Sequence, residues 1–246
     1  MSLPRIVRDE ALDGLDPADP AARRSRRDLV RVHLAMGTRR ALACALAEPP
    51  ARPPGGGPLD ALELGGGDGT LALAVARRLA RTWPPVRLTI LDRVDVVTRR
   101  TRDAYAALGW EVEVLVTDAL AWAAPPAGAD GGAGDSRRRR DLVLASLFLH
   151  HFEGAELDAL LAAAAARTDR FVAFEPRRSR LALAGGHLVG ALGASAVTRS
   201  DAVLSVHAGF RGSELAERWP AGPWRVAERA AAPFGHLFDA RRDAAG

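Results

Sequence analysis

The chain has 246 residues, 48% of them hydrophobic, which is enough for one generous α/β domain with a sizeable core. A single cysteine, Cys44, excludes an intramolecular disulfide and fits a reducing cytoplasm, while the stretch MSLPRIVRDEALDG has no apolar segment of the kind a signal peptide needs. All 34 basic residues are arginine; with no lysine, Schiff-base chemistry and a Walker A loop are excluded, and the net charge of +4 is too small to argue for a nucleic-acid partner.

In chain order, residues 21–47 carry apolar positions among arginines and predict one or two helices. Residues 48–58, EPPARPPGGGP, read as a Pro/Gly linker. The first domain boundary is therefore placed at residue 58: a helical lid over 1–58, then a catalytic domain over 59–246 with an insertion at about 178–210. From Leu59 strand and helix patterns alternate. Strands are predicted at 59–64, 86–91, 111–117, 141–148 and 170–174; helices at 70–83, 94–108 and 153–166. The segment 123–140 is low in complexity and reads as a solvated surface loop, its arginine run included. Residues 181–197 are apolar but contain His187 and four glycines, so a buried or lid helix is expected rather than a membrane span. A short helix at 212–219 and a hairpin of 224–230 with 236–241 close the chain. The alternation predicts an α/β, doubly wound, Rossmann-like seven-stranded sheet, with one antiparallel strand supplied by the C-terminal hairpin.

The chemistry is carried by Glu63-Leu64-Gly65-Gly66-Gly67-Asp68-Gly69, set between a strand and a helix. Its spacing is E-x-G-x-G-x-G. A dinucleotide turn of the G-x-G-x-x-G type would need glycine where Thr70 stands. Two acids follow at later strand ends. Asp92, with Arg93 beside it, closes LTILD and can accept ribose hydroxyls; Asp118, followed by Ala119, closes the third strand and can accept from an adenine amino group. The fourth strand runs through Ala145 and Ser146 into Leu147-Phe148-Leu149-His150-His151. A histidine there titrates near neutrality and can take a proton from a hydroxyl.

With these residues the segment from about Asp60 to Phe174 resembles the class I S-adenosylmethionine (SAM) methyltransferases, in particular small bacterial ones acting on quinone, phenol or polyketide-like molecules. The resemblance implies that the turn Glu63, Gly65, Gly67 and Gly69 holds the methionine part of SAM and that Asp92 holds the ribose. It further implies adenine at Asp118 and backbone contact to the cofactor at Ala145 and Ser146. His151, or else His150, is the candidate base; His207 is a weaker one, and His33, His187 and His236 are expected in packing or surface roles. No metal ligand set is expected. Glu175 is expected to pair with Arg177 or Arg178. The implied reaction is O-methylation of a small, apolar or aromatic acceptor. C-methylation, an RNA substrate and a non-catalytic ligand-binding role are the alternatives, and the apolar insertion could equally serve core packing or a homodimer interface.

Overall fold

The computed structural model describes residues 3–16, 19–50, 56–125, 138–188, 193–231 and 233–243. Seven strands form one sheet: β1 (Leu59–Leu64), β2 (Val86–Asp92), β3 (Trp110–Val116), β4 (Leu142–Ser146), β5 (Arg170–Pro176), β6 (Trp224–Ala231) and β7 (Gly235–Arg242). Their order is β3-β2-β1-β4-β5-β7-β6. β7 runs antiparallel to both β5 and β6, whereas β1 to β5 pair in parallel. The order reverses at β1, between β2 and β4. Crevices at such a point receive ligands, beyond the C-terminal ends of the strands.

The central strands are mostly apolar because helices cover both faces; β1 and β5 are buried at every position, with charged residues only toward their ends. On one face lie α2 (Thr38–Ala45), α3 (Thr70–Leu79) and α4 (Arg99–Ala106), packed through Leu42, Val75, Leu79 and Trp83 onto Leu88 and Leu144. The other face is closed by α5 (Ala119–Ala123), α6 (Gly154–Arg167) and the aromatic group Phe171, Trp219 and Phe238. Trp219 stacks on Phe171 at 5.0 Å between ring centroids. An N-terminal helix α1 (Pro20–Ala35) and the pair α7 (Arg180–Leu188) and α8 (Ala196–Ala208) complete the described helices.

Three expectations need correction. The insertion holds two separate helices, α7 and α8, rather than one; residues 189–192 of that stretch lie outside the described residues. Residues 212–218 form hydrogen-bonded turns rather than a helix, because Glu228 accepts the N–H groups of Leu215 and Ala216 at 3.1 and 2.7 Å and pulls the segment toward β6. The arginine run is not a solvated loop at its C-terminal end. Arg140 is 2% exposed and pairs with Asp60 at 2.5 Å, Arg138 pairs with the same carboxylate at 2.6 Å, and Arg140 bridges to Thr168. These arginines therefore clamp the N-terminal ends of β1 and β4, on the edge of the sheet opposite the glycine turn. Residues 126–137 lie outside the described residues. No helix among the described residues is long and apolar enough to cross a membrane.

Candidate functional site

The glycine turn joins β1 to α3. Gly65, Gly67 and Gly69 all adopt left-handed backbone, with φ of 64°, 56° and 71°, a region costly for any residue with a Cβ. Space makes the requirement stricter at Gly65, where a Cβ would overlap the Phe148 ring. At Gly67 nothing approaches, so the backbone there is bare toward the crevice. Asp92, the last residue of β2, holds the turn's shape: one carboxylate oxygen accepts the Gly67 N–H at 2.9 Å and the other the Val94 N–H at 3.2 Å. Each oxygen keeps further lone-pair capacity for a ligand hydroxyl.

Glu63 is 2% exposed, and its Oε2 is buried without a partner. Burial pushes its carboxyl up to about 8, with the negative charges of Asp68 and Asp92 adding to the effect, while a hydrogen bond with Ser146 opposes it. Asp118 caps α5, its Oδ1 accepting from Leu120 at 2.8 Å and Ala121 at 3.3 Å, and stays exposed. Ala119 is buried behind it, and Arg93 is exposed just past β2. Ala145 is buried, with Ser146 half-buried at the end of β4. The residues singled out around the turn thus lie at the C-terminal ends of β1 to β4.

Beyond β4 the chain turns through Leu147, whose φ of 54° is strained for a residue bearing a Cβ. Glu175 supports this turn. It is fully buried at the end of β5, and its carboxylate accepts three backbone N–H groups, from Phe148 (3.1 Å), Leu149 (2.8 Å) and His150 (3.3 Å), and meets His150 Nδ1 at 2.7 Å. The expected pairing of Glu175 with Arg177 or Arg178 is therefore wrong: Arg178 turns instead to Glu214. A buried anion beside an imidazole and three N–H donors is better satisfied than one beside an arginine whose fork must also reach Leu3 and Gly209.

His150 is enclosed. Its Nε2 meets Glu10 at 3.4 Å, and Glu10 also accepts from Ser205 of α8. Burial alone would lower the His150 pKa, but the two carboxylates override it and push it up to about 9. His151 is half-buried, its ring 4.3 Å from that of His150 and 6.4 Å from that of Phe148 between centroids. Glu10, His150 and His151 thus form one compact group. The N-terminal arm that delivers Glu10 is anchored by Arg5 on the carbonyls of Ala208 and Phe152, by Ile6 on that of His207, and by Ala11 and Leu12 on the carboxylate of Asp201. Sequence reasoning missed Glu10 and the role of Glu175, since neither lies in a motif and Glu10 is 140 residues from its partner. His236 pairs with Glu228 at 2.6 Å, away from this group. His187 is exposed on α7.

A seven-stranded sheet in this order, with its one antiparallel strand beside β5 and a glycine turn after β1, decides the fold. This is the class I methyltransferase fold. Solved structures agree. The chain is similar to an O-methyltransferase family protein from Burkholderia thailandensis, with TM-score 0.55 and 16% identity over 93% of this chain; it spans 62% of that structure's length. It is also similar to the plantazolicin methyltransferase BpumL in complex with a pentazolic desmethylPZN analog and S-adenosylhomocysteine (SAH), with TM-score 0.57 and 13% identity over 92% of this chain and 93% of that one. The CMeT domain of the citrinin polyketide synthase matches 77% of this chain and 48% of that one, with TM-score 0.51 and 16% identity. No protein-family model matches the chain, and no curated protein is similar to it in sequence.

Proposed function

We propose that this protein is a SAM-dependent methyltransferase that methylates a hydroxyl on a small, apolar or aromatic acceptor. The observation that carries the reading is the left-handed glycine turn bounded by Glu63 and Asp92, lying one strand away from the His150–His151 group. The residues suit SAM on their own terms: Glu63 offers a buried, unpartnered oxygen to an ammonium group, Gly67 offers bare backbone, and Asp92 offers lone pairs to a ribose. Asp118, with Ala119 and Arg93 nearby, bounds the adenine end, and Ala145 and Ser146 line the β4 side. SAM supplies a sulfonium methyl carbon open to in-line displacement, so the protein's task is to position the acceptor and remove its proton. Of the two histidines, His150 is already protonated at neutral pH, held between Glu10 and Glu175. His151, at the rim, is the proton acceptor. The fold of BpumL, solved with SAH, supports the cofactor. Calorimetry is expected to show micromolar-order SAH binding and no NAD binding; NAD binding without SAH binding overturns the reading. Labelled SAM offered with phenols, quinones, small acids and tRNA then identifies the acceptor, and product NMR separates O- from C-methylation.

Two smaller predictions arise here. Asp92→Ala removes both the brace on Gly67 and a charged acceptor for the ribose. SAH affinity should fall by about 1–3 kcal/mol, that is, roughly 10- to 100-fold. Unchanged affinity places the ribose elsewhere. Glu63, raised to about 8, is mostly protonated at pH 7, and an incoming ammonium favours its ionised form. SAH binding at pH 7 should therefore release up to about one proton, and affinity should rise as pH climbs toward 8. Titrations in phosphate and Tris, whose ionisation heats differ, measure that proton directly. Glu63→Gln should abolish the difference between buffers; a wild type without any difference removes Glu63 from the ammonium.

A further inference from the structure

Glu10, His150 and His151 bring three potential metal-ligand atoms to within 4.8 Å of one another: two imidazole nitrogens and a carboxylate oxygen. No motif announces the set, because Glu10 and His150 are 140 residues apart. His150 Nε2 stands 3.4 Å from Glu10 Oε1. That is long for a charge-assisted hydrogen bond, which settles at about 2.7–2.9 Å. It matches two ligands of one tetrahedral zinc ion, since bonds of about 2.0–2.1 Å put ligand atoms about 3.3 Å apart. On the other side of the same ring, Nδ1 meets Glu175 at a close 2.7 Å.

The surroundings hold these ligands in place. Glu175 takes the Nδ1 side of His150 and so aims Nε2 at Glu10. A carboxylate behind a ligating histidine fixes its tautomer and raises its basicity. Three backbone N–H groups lock Glu175 in turn. Glu10 is steadied by the Ser205 hydroxyl, and its arm by Arg5 and by Asp201. His151 is half-buried, with its ring 4.3 Å from that of His150, so a small rotation carries its nitrogen inward. Glu10 and Glu175 together supply the negative charge that a dication needs in a nearly covered place. Two imidazoles suit zinc and its neighbours, whereas magnesium and calcium take oxygen ligands. Three protein ligands leave one position of a tetrahedron open to water.

We propose that Glu10, His150 and His151 bind a zinc ion, and that the bound ion switches methyl transfer off. The ion displaces the proton between His150 Nε2 and Glu10. It also occupies the lone pair with which His151 would take the acceptor's proton. The ion site stands on the ligand geometry; the switch rests on the proposed role of His151.

Zinc chloride titrated into the chelator-treated full chain tests the site by calorimetry. Wild type should take up about one equivalent, with a dissociation constant on the order of micromolar or below. Glu10→Gln and His151→Ala each remove one of three ligands and should weaken zinc about 10-fold or more. Glu175→Gln, one shell further out, should weaken it by roughly 10- to 100-fold. Cys44→Ser and His187→Ala, both at exposed positions, should bind as wild type does. Cobalt(II) in place of zinc should give the strong visible bands of a tetrahedral site, and Glu10→Gln should lose them. In a labelled-SAM assay zinc should inhibit, and Glu10→Gln, which keeps His151, should need about 10-fold more of it. No zinc uptake, or equal uptake by wild type, Glu10→Gln and His151→Ala, overturns the site and leaves the methyltransferase reading intact. Zinc held by these residues without inhibition overturns the switch and removes His151 as the base. A wild type that binds zinc but not SAH overturns the donor reading, and the switch with it, while the ion site stands.

Discussion

Replacing Glu175 with alanine should destabilise the protein by about 3–5 kcal/mol, the cost of breaking a buried charge pair by deleting one partner. The loss is expected to be that large because four donors depend on one carboxylate: the N–H groups of Phe148, Leu149 and His150, and His150 Nδ1. All are in or next to a turn already strained at Leu147. For a chain of this size the midpoint of thermal unfolding should drop by roughly 10 °C. Glu175→Gln keeps the shape and one acceptor oxygen but points an N–H₂ group at donors, so it should recover only part of the loss. The pH dependence carries a second signature. With its folded pKa raised to about 9 from 6.5, His150 contributes stability that is fully present below about 6.5 and is lost as pH rises through about 9. Urea unfolding of the wild type at pH 6, 8 and 9.5 should show that decline, and Glu175→Ala should flatten it. A variant with unchanged stability and an unchanged slope removes Glu175 from its place as the anchor of this turn.

What the sequence disclosed follows from where information is local. The spacing Glu63, Gly65, Gly67, Gly69 is readable because left-handed backbone and close approach restrict each position by itself. The strands were legible because a strand buried on both faces reads as an apolar run, as in Leu142–Ser146. The doubly wound sheet was expected from the alternation and the hairpin from its two strand patterns, but the strand order was not. Pairings between distant segments were not legible. Glu10 reaches His150 across 140 residues of chain, and Glu175 meets an imidazole rather than either neighbouring arginine because the β4 turn also offers it three N–H groups. Arg140 reads as part of a charged loop because its partner, Asp60, lies 80 residues earlier.

His151→Ala should lower kcat by roughly 100-fold or more with SAH affinity nearly unchanged, if His151 takes the proton of the acceptor. The geometry argues for this residue over its neighbour. His150 sits between two carboxylates and holds its proton to about 9, so at neutral pH it has no lone pair to give. His151 is half-buried in the segment after β4, its ring 6.4 Å from that of Phe148, which abuts Gly65 of the glycine turn. An acidic phenol, already ionised without help, should recover part of the lost rate, since positioning alone then suffices. His150→Ala should differ in kind: a loss of thermal stability from two stranded carboxylates, with a smaller change in rate per folded molecule. If the two variants exchange these behaviours, the proton goes to His150 and the clamp of Glu10 and Glu175 must open during turnover. If both lose less than about threefold on a substrate of ordinary phenol acidity, neither histidine is the base, and the enzyme works by holding an acceptor that arrives ionised.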